Sequence, residues 1–253
     1  MKRTLFLISI SAVLTGCQTT TVQPDSGILR VGVTPRSQPM IFKQGGQIAG
    51  IEADFAQKLG KALNRKVVFV EVPWKKQIDY LEQNKTDIIM SNMTVTAPRA
   101  IRINFSTPYL QSGLSAMFRR DNADPSGLIG STIRNQTKRI GFVKNTTGEY
   151  FCIQRFTRAE LIPHSSPAKA AAALKSKKVD MVVHDAPVIW WLSAGNEREL
   201  VAFQEVLNVE PLAWGVAKHN MALLDEVNAQ LAQWNKDGSC QKIIQNWIPS
   251  FGR

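Results

Sequence analysis

The stretch KVVFVEVPWKKQIDYLEQNKTDIIMSNMTVTAPR, residues 66–99, decides the fold. Its first seven residues are a β-branched run, which reads as a strand. Pro73 then marks a helix start, and Trp74, Ile78 and Leu81 recur at helical spacing over 73–83. DIIMS, 87–91, is another strand. Upstream, IEADFAQKLGKAL (51–63) repeats Ile51, Phe55, Leu59 and Leu63 with the period of a helix, and ILRVGV (28–33) precedes it as a strand. This βαβαβ order predicts a mostly parallel sheet with helices on both faces.

A second set of elements follows. RIGFV (139–143) reads as a strand, Thr146 to Phe156 and PAKAAAALKSK (167–177) as helices, VDMVV (179–183) as a strand, and APVIWWLS as a helix. Residues 112–135 between the sets are mixed, strand-like at LSAMF and then DNADPSG. PLAWGVA (211–217) reads as a strand, and the end is helical through Leu223, Leu224, Val227 and Leu231, then IIQNWI after the breaker Asp237-Gly238. The chain thus predicts an α/β protein of two lobes. The terminal helices return to the first, so lobe 1 comprises 28–112 with 211–253 and lobe 2 comprises 113–210, with a cleft between them.

The first residues stand outside that fold. Lys2 and Arg3 precede the apolar run LFLISISAVL (5–14), too short for a membrane-spanning helix. Leu14-Thr15-Gly16-Cys17 looks like a bacterial lipobox. That resemblance implies a signal peptide over 1–16, cleavage before Cys17, and a diacylglycerol on its sulfur. Residues 17–27 then form a polar tether. No later run is apolar for long enough to cross a bilayer. An exported protein held on the periplasmic side of the envelope by lipid is expected, with outer and inner membrane both open. The formal charge of +11 falls to +9 once Lys2 and Arg3 are removed. Export argues against nucleic acid as a partner, and solubility or attraction to an anionic surface uses the charge. Cys152 and Cys240 have no metal-ligand spacing, so neither metal nor other cofactor is expected. An oxidising compartment leaves a Cys152–Cys240 disulfide open.

Ligands of parallel α/β sheets sit outside the carboxyl ends of the strands, and three such ends carry polar sets. DIIM is followed by Ser91, Asn92, Thr94 and Arg99. Arginine is shaped to grip a carboxylate bidentately, although a solvated loop charge would read the same. RIGFV is followed by Lys144-Asn145-Thr146-Thr147-Gly148-Glu149, where Thr146 and Glu149 have capping-box spacing. That helix start offers N–H groups to an anion or is simply capped. VDMVV is followed by His184 and Asp185, and the aspartate either meets an ammonium group or caps the next helix. Together the ends supply a cation, anion-seeking N–H groups and an anion, the set that fits an amino-acid zwitterion. Trp74 is either an apolar wall over such a ligand or core packing.

These pieces resemble, in order, the bacterial extracellular solute-binding proteins of family 3, the amino-acid-binding components of ABC importers. The pieces are LRVGVTPRSQPM, GGQIAGIEADFAQKLGKAL, PWKKQIDYLEQNKTDIIMSNMTVTAPRAIRINFSTPY, IGFVKNTTGEYF, KKVDMVVHDAP and DGSCQKIIQNW. The resemblance spans nearly all of 28–250 and is most specific from Trp74 to Tyr109. It implies the two-lobed periplasmic binding protein type II fold, a non-enzymatic monomer, an ABC permease as partner and a polar amino acid as ligand. At matching positions it implies Arg99 on the α-carboxylate with Thr146 and Thr147 at the lobe 2 helix start. It implies Thr94 and Asn92 beside that arginine, Asp185 on the α-amino group, and Trp74 packed on the ligand. Three residues depart from the family pattern. Ser37 stands where an aromatic is usual, Thr34 where binders of basic amino acids often carry an acid, and Asn145 where glycine is usual. The alternatives are an enzyme on the same scaffold, resembling cyclohexadienyl dehydratases with Glu149 and His184 as its acid–base candidates, or a ligand-sensing envelope lipoprotein.

Overall fold

The computed structural model describes residues 27–122 and 139–249. The signal peptide, Cys17 and the tether up to residue 26 lie outside the described residues, as do residues 123–138.

Two five-stranded sheets form the frame. In lobe 1 the strands are β1 (Ile28–Val33), β4 (Lys66–Glu71), β5 (Ile88–Ile89), β6 (Ile103–Phe105) and β14 (Gly215–Ala217), ordered β4-β1-β5-β14-β6. In lobe 2 they are β8 (Leu114–Arg119), β9 (Arg139–Val143), β10 (Glu160–His164), β11 (Met181–Asp185) and β12 (Leu200–Ala202), ordered β10-β9-β11-β8-β12. Two short ladders complete the strand set, β2 (Phe42–Gln44) with β3 (Gln47–Ala49) and β7 (Leu110–Ser112) with β13 (Glu210–Leu212).

Each sheet has a parallel trio and one reversed strand. β1 pairs in parallel with β4 and β5, and β9 with β10 and β11. β14 runs antiparallel to β5 and β6, and β8 antiparallel to β11 and β12. The reversed strands are those that follow a crossing between lobes, made by β7 and β13 side by side. Gly113, at the first crossing, lies so near the second that an added Cβ would stand 1.9 Å from the Asn208 carbonyl oxygen.

The helices are α1 (Ile51–Ala62), α2 (Gln77–Glu82), α3 (Ala97–Arg102), α4 (Thr147–Arg155), α5 (Pro167–Lys175), α6 (Ala186–Ala194), α7 (Met221–Lys236) and α8 (Ser239–Trp247). α1 buries Ile51, Phe55 and Leu59 against lobe 1, where α7 adds Leu223, Val227 and Leu231 and α8 adds Ile244. Phe55, Tyr109, Trp214 and Trp234 pack there with neighbouring ring centroids from 5.3 to 6.5 Å apart, the range of favourable aromatic pairs. Lobe 2 has two buried clusters, one built on α5 and α6 and the other on α4.

Several expectations change. PLAWGVA is two strands, because Leu212 pairs with β7 while Gly215 pairs with β5, and Trp214 between them hydrogen-bonds through its N–H to Ser106 Oγ at 3.0 Å. The helix expected over 73–83 opens as a 3₁₀ turn, Trp74–Lys76, before α2. Cys152 and Cys240 are free thiols, buried in the cores of lobe 2 and lobe 1 respectively. Burial pushes Cys152 up to about 12 and Cys240 up to about 11.

Candidate functional site

Lobe 1 presents its polar groups just past β5. Ile88 and Ile89 are buried, and the chain turns at Asn92, whose φ of 58° is left-handed. Asparagine is among the few side chains that adopt such backbone readily. Glu52, at the start of α1, holds this turn from inside the lobe. Its carboxylate accepts from the Asn92 N–H at 2.6 Å, Tyr109 OH at 2.8 Å and Trp214 Nε1 at 2.8 Å. The group is fully buried, and burial lifts its pKa to about 7 against the opposing pull of the three donors.

Arg99 lies in α3, which has Pro98 in its first turn, so this residue belongs to a helix and not to a loop. Its Nη1 donates to the Thr94 carbonyl at 2.8 Å, and its guanidinium lies 5.2 Å from the centre of the Trp74 ring. Burial draws the Arg99 pKa down, and the negative charges of Asp185 and Glu210 hold it up. Trp74 is partly core and partly cleft wall. It packs beside Leu81, Ile89 and Met93, and it faces the cleft.

Lobe 2 contributes two strand ends. After β9, Asn145 takes a left-handed φ of 62°, and Thr146 is the N-cap of α4. The expected reciprocal capping box does not form. Thr146 Oγ1 donates to the Val143 carbonyl at 2.8 Å, and Glu149 accepts from the Asn145 N–H at 2.6 Å. At the end of β11, Asp185 is the N-cap of α6, yet its side chain makes no capping bond. Its Oδ2 accepts from Asn92 Nδ2 across the cleft at 2.7 Å. Burial raises the Asp185 pKa; Glu210 adds to the rise, while His184, Arg99 and the Asn92 bond oppose it.

Arg99, Asp185, Thr94, Asn92, Thr146, Thr147 and Trp74 all line one cleft between the lobes, with about 590 Å³ of empty space including its mouth. A second cross-lobe bond, from Trp74 Nε1 to the Asn145 carbonyl at 2.7 Å, spans it.

The residues of this chain match two known patterns. Residues 29–250 match the bacterial extracellular solute-binding proteins, family 3, and residues 1–18 match a prokaryotic membrane lipoprotein lipid attachment site. The chain belongs to that solute-binding family. Among family relatives, the L-cystine-binding protein TcyJ of Escherichia coli strain K12 is 24% identical over 225 residues, covering 88% of this chain and 84% of that protein. The arginine-binding periplasmic protein of Mannheimia haemolytica is 25% identical over 252 residues, covering 98% and 99%. Solved structures share the fold, and two of them illustrate it. The ancestral amino acid-binding protein AncCDT-1, described as a precursor of cyclohexadienyl dehydratase, has a TM-score of 0.80 and 32% identity over 87% of this chain and 95% of its own. A lysine complex of an ABC-transporter binding component from Wolinella succinogenes has a TM-score of 0.81 and 28% identity, with coverage of 87% and 95%.

Three buried residues of this family 3 protein were not singled out as site residues from the sequence. Glu210, on the second crossing, accepts from Thr94 Oγ1 at 3.0 Å and Thr147 Oγ1 at 2.7 Å on Oε2, and from Asn208 Nδ2 at 2.9 Å on Oε1. Its signal was an acid directly before Pro211 in an apolar run. Glu52 lies on the same helical face as Phe55 and Leu59, which is the signal for a buried acid. His184, raised only as a candidate for the enzyme alternative, lines the cleft. Neither ring nitrogen has a hydrogen-bond partner among the described residues, and Nε2 stands 3.7 Å from Asp185 Oδ2.

Proposed function

We propose that this lipoprotein captures an amino acid in the inter-lobe cleft, on the periplasmic side of the envelope, and delivers it to an ABC permease. The observation that carries the reading is the placement of Arg99 and Asp185. One cation and one anion, from opposite lobes, face the same small space. An α-carboxylate pairs with Arg99, and an α-ammonium pairs with Asp185 beside Asn92. A ligand that bridges them favours the closed arrangement, since only closure brings both charges to one molecule. The adjacent crossings β7 and β13 serve as the hinge, and the lobe limits are 28–112 with 211–253 and 113–210. The protein acts as a monomer.

The threonines assist in a particular way. Each hydroxyl carries one proton. Those of Thr94 and Thr147 are donated to Glu210, and that of Thr146 to Val143. Their backbone N–H groups are therefore the natural donors to a carboxylate, and the hydroxyls brace the wall.

Calorimetric titration of the full chain in mild detergent against the twenty amino acids tests the reading. Arg99→Ala should cost about 2–5 kcal/mol of binding, the usual loss when one partner of a buried charged pair is truncated. Asp185→Asn should weaken the same ligand. Undiminished affinity in both variants refutes the proposed site.

The second reading, an enzyme of the cyclohexadienyl dehydratase kind, draws on the description of the ancestral neighbour. Dehydration needs an acid–base pair in the cleft. Glu149 holds the Asn145 N–H and is not among the lining residues, so His184 is left without its expected partner. Turnover of prephenate or arogenate would reinstate the enzyme.

A further inference from the structure

The proposed amino-acid site leaves two cations over. Arg36 follows β1 in lobe 1, and Lys144 follows β9 in lobe 2. Both line the cleft that holds Arg99 and Asp185. Among the described residues neither side chain has an ion-pair or hydrogen-bond partner. Some surface cations pair, as Arg30 does with Asp87 and Arg102 with Glu82, and others such as Lys61 and Lys242 do not among the described residues; Arg36 and Lys144 are set apart by facing the cleft from opposite lobes.

The acids nearby are already engaged. Asp185 is the acid in the lining, and the ammonium claims it. Glu210 is occupied by Thr94, Thr147 and Asn208, and Glu149 by the Asn145 N–H. Thr34, in the loop that carries Arg36, is neutral and turned inward. Its hydroxyl donates to the Val72 carbonyl at 2.7 Å and accepts from Gln77 Nε2 at 2.9 Å. Ser37, Ser165 and Ser166 fill out the same lining with neutral groups.

We infer that the cleft selects an amino acid whose side chain ends in a carboxylate, held between Arg36 and Lys144. The inference rests on the amino-acid reading above and narrows it to acidic ligands. Like charges brought together by closure repel, and an anion between them turns that repulsion into attraction. Because the two cations come from different lobes, such a ligand binds the closed arrangement in preference to the open one. A guanidinium or ammonium tip would meet two like charges and no free carboxylate. This separates the chain from its relatives named for arginine and lysine.

The test is calorimetric titration of the full chain in mild detergent with L-aspartate, L-glutamate, L-asparagine, L-glutamine, L-arginine and L-lysine. One acid should bind at least about ten-fold tighter than its own amide, the factor expected for a single charge-assisted hydrogen bond. That preference should shrink as salt is raised. The double variant Arg36→Gln/Lys144→Gln should lose it, and an unchanged far-UV circular dichroism spectrum and Tm show that the variant is folded. An amide or a cationic amino acid that binds as tightly as the acids overturns this inference and leaves the amino-acid reading standing. An absence of binding by all six, and by the rest of the twenty, overturns both.

Discussion

Replacing Glu52 with Gln should change how stability depends on pH. The carboxylate is fully buried, and its folded pKa is about 7 against an ordinary value of 4.5. The folded state therefore binds this proton more tightly than the unfolded state does. Stability rises as pH falls through 7 and stops rising from this source near 4.5. Integrated from pH 8 to pH 5, the gain is about 2.5 kcal/mol. For a chain of this size that corresponds to roughly 5–10 °C in Tm. The glutamine variant has no proton to gain. Its Oε1 can still accept from the Asn92 N–H and Tyr109 OH, but its Nε2 faces the Trp214 indole N–H, donor against donor. That mismatch costs about 1–3 kcal/mol at every pH. At pH 8 the cost is partly offset, because no charge is buried; at pH 5 it stands alone. Urea titrations of both proteins at pH 5, 6, 7 and 8 measure the difference, and the titration of Asp185 cancels because both carry it. A parent-minus-variant difference that stays constant across the series refutes the raised Glu52 pKa and the desolvation argument behind it.

Trp74→Phe keeps an aromatic wall but removes the indole donor to the Asn145 carbonyl. Loss of one net hydrogen bond of about 0.5–1.5 kcal/mol should speed ligand release by roughly two- to ten-fold in stopped-flow experiments, and an unchanged rate would mean that this bond does not restrain opening. Gly113→Ala should lower Tm sharply, because its Cβ would stand 1.9 Å from the Asn208 carbonyl oxygen and force the two crossings apart; a variant as stable as the parent would show that the crossings are not tightly apposed. Both cysteines should react with iodoacetamide once the protein is denatured without reductant, and reductant should leave Tm unchanged; a mass consistent with a Cys152–Cys240 bridge would contradict the two-core placement.

The expected site residues that line the cleft were legible as candidates because they stand at the ends of locally patterned elements. Arg99 follows an apolar strand and Asp185 closes one, so periodicity and the strand-end rule made them candidates, and the family resemblance gave them their expected roles. Other features depend on neighbours far away in the chain. Asp185 was open between capping and ligand binding, and the structure shows its Oδ2 bonded to Asn92, 93 residues away. Glu52 reads as one acid in an amphipathic helix, and its importance comes from Tyr109 and Trp214, 57 and 162 residues on.

The sequence by itself determined two α/β units, the polar strand ends and the lipobox, since hydrophobic period, turn residues and short motifs act between near neighbours. Tertiary structure decided what depends on contacts between distant segments. PLAWGVA has one continuous β pattern, but its halves are claimed by different partners, β7 and β5, and so become two strands. The compartment permitted a disulfide, yet each thiol is buried in a different lobe's core. Burial and pairing across long separations set these outcomes, and no local pattern encodes which distant segment will supply the partner.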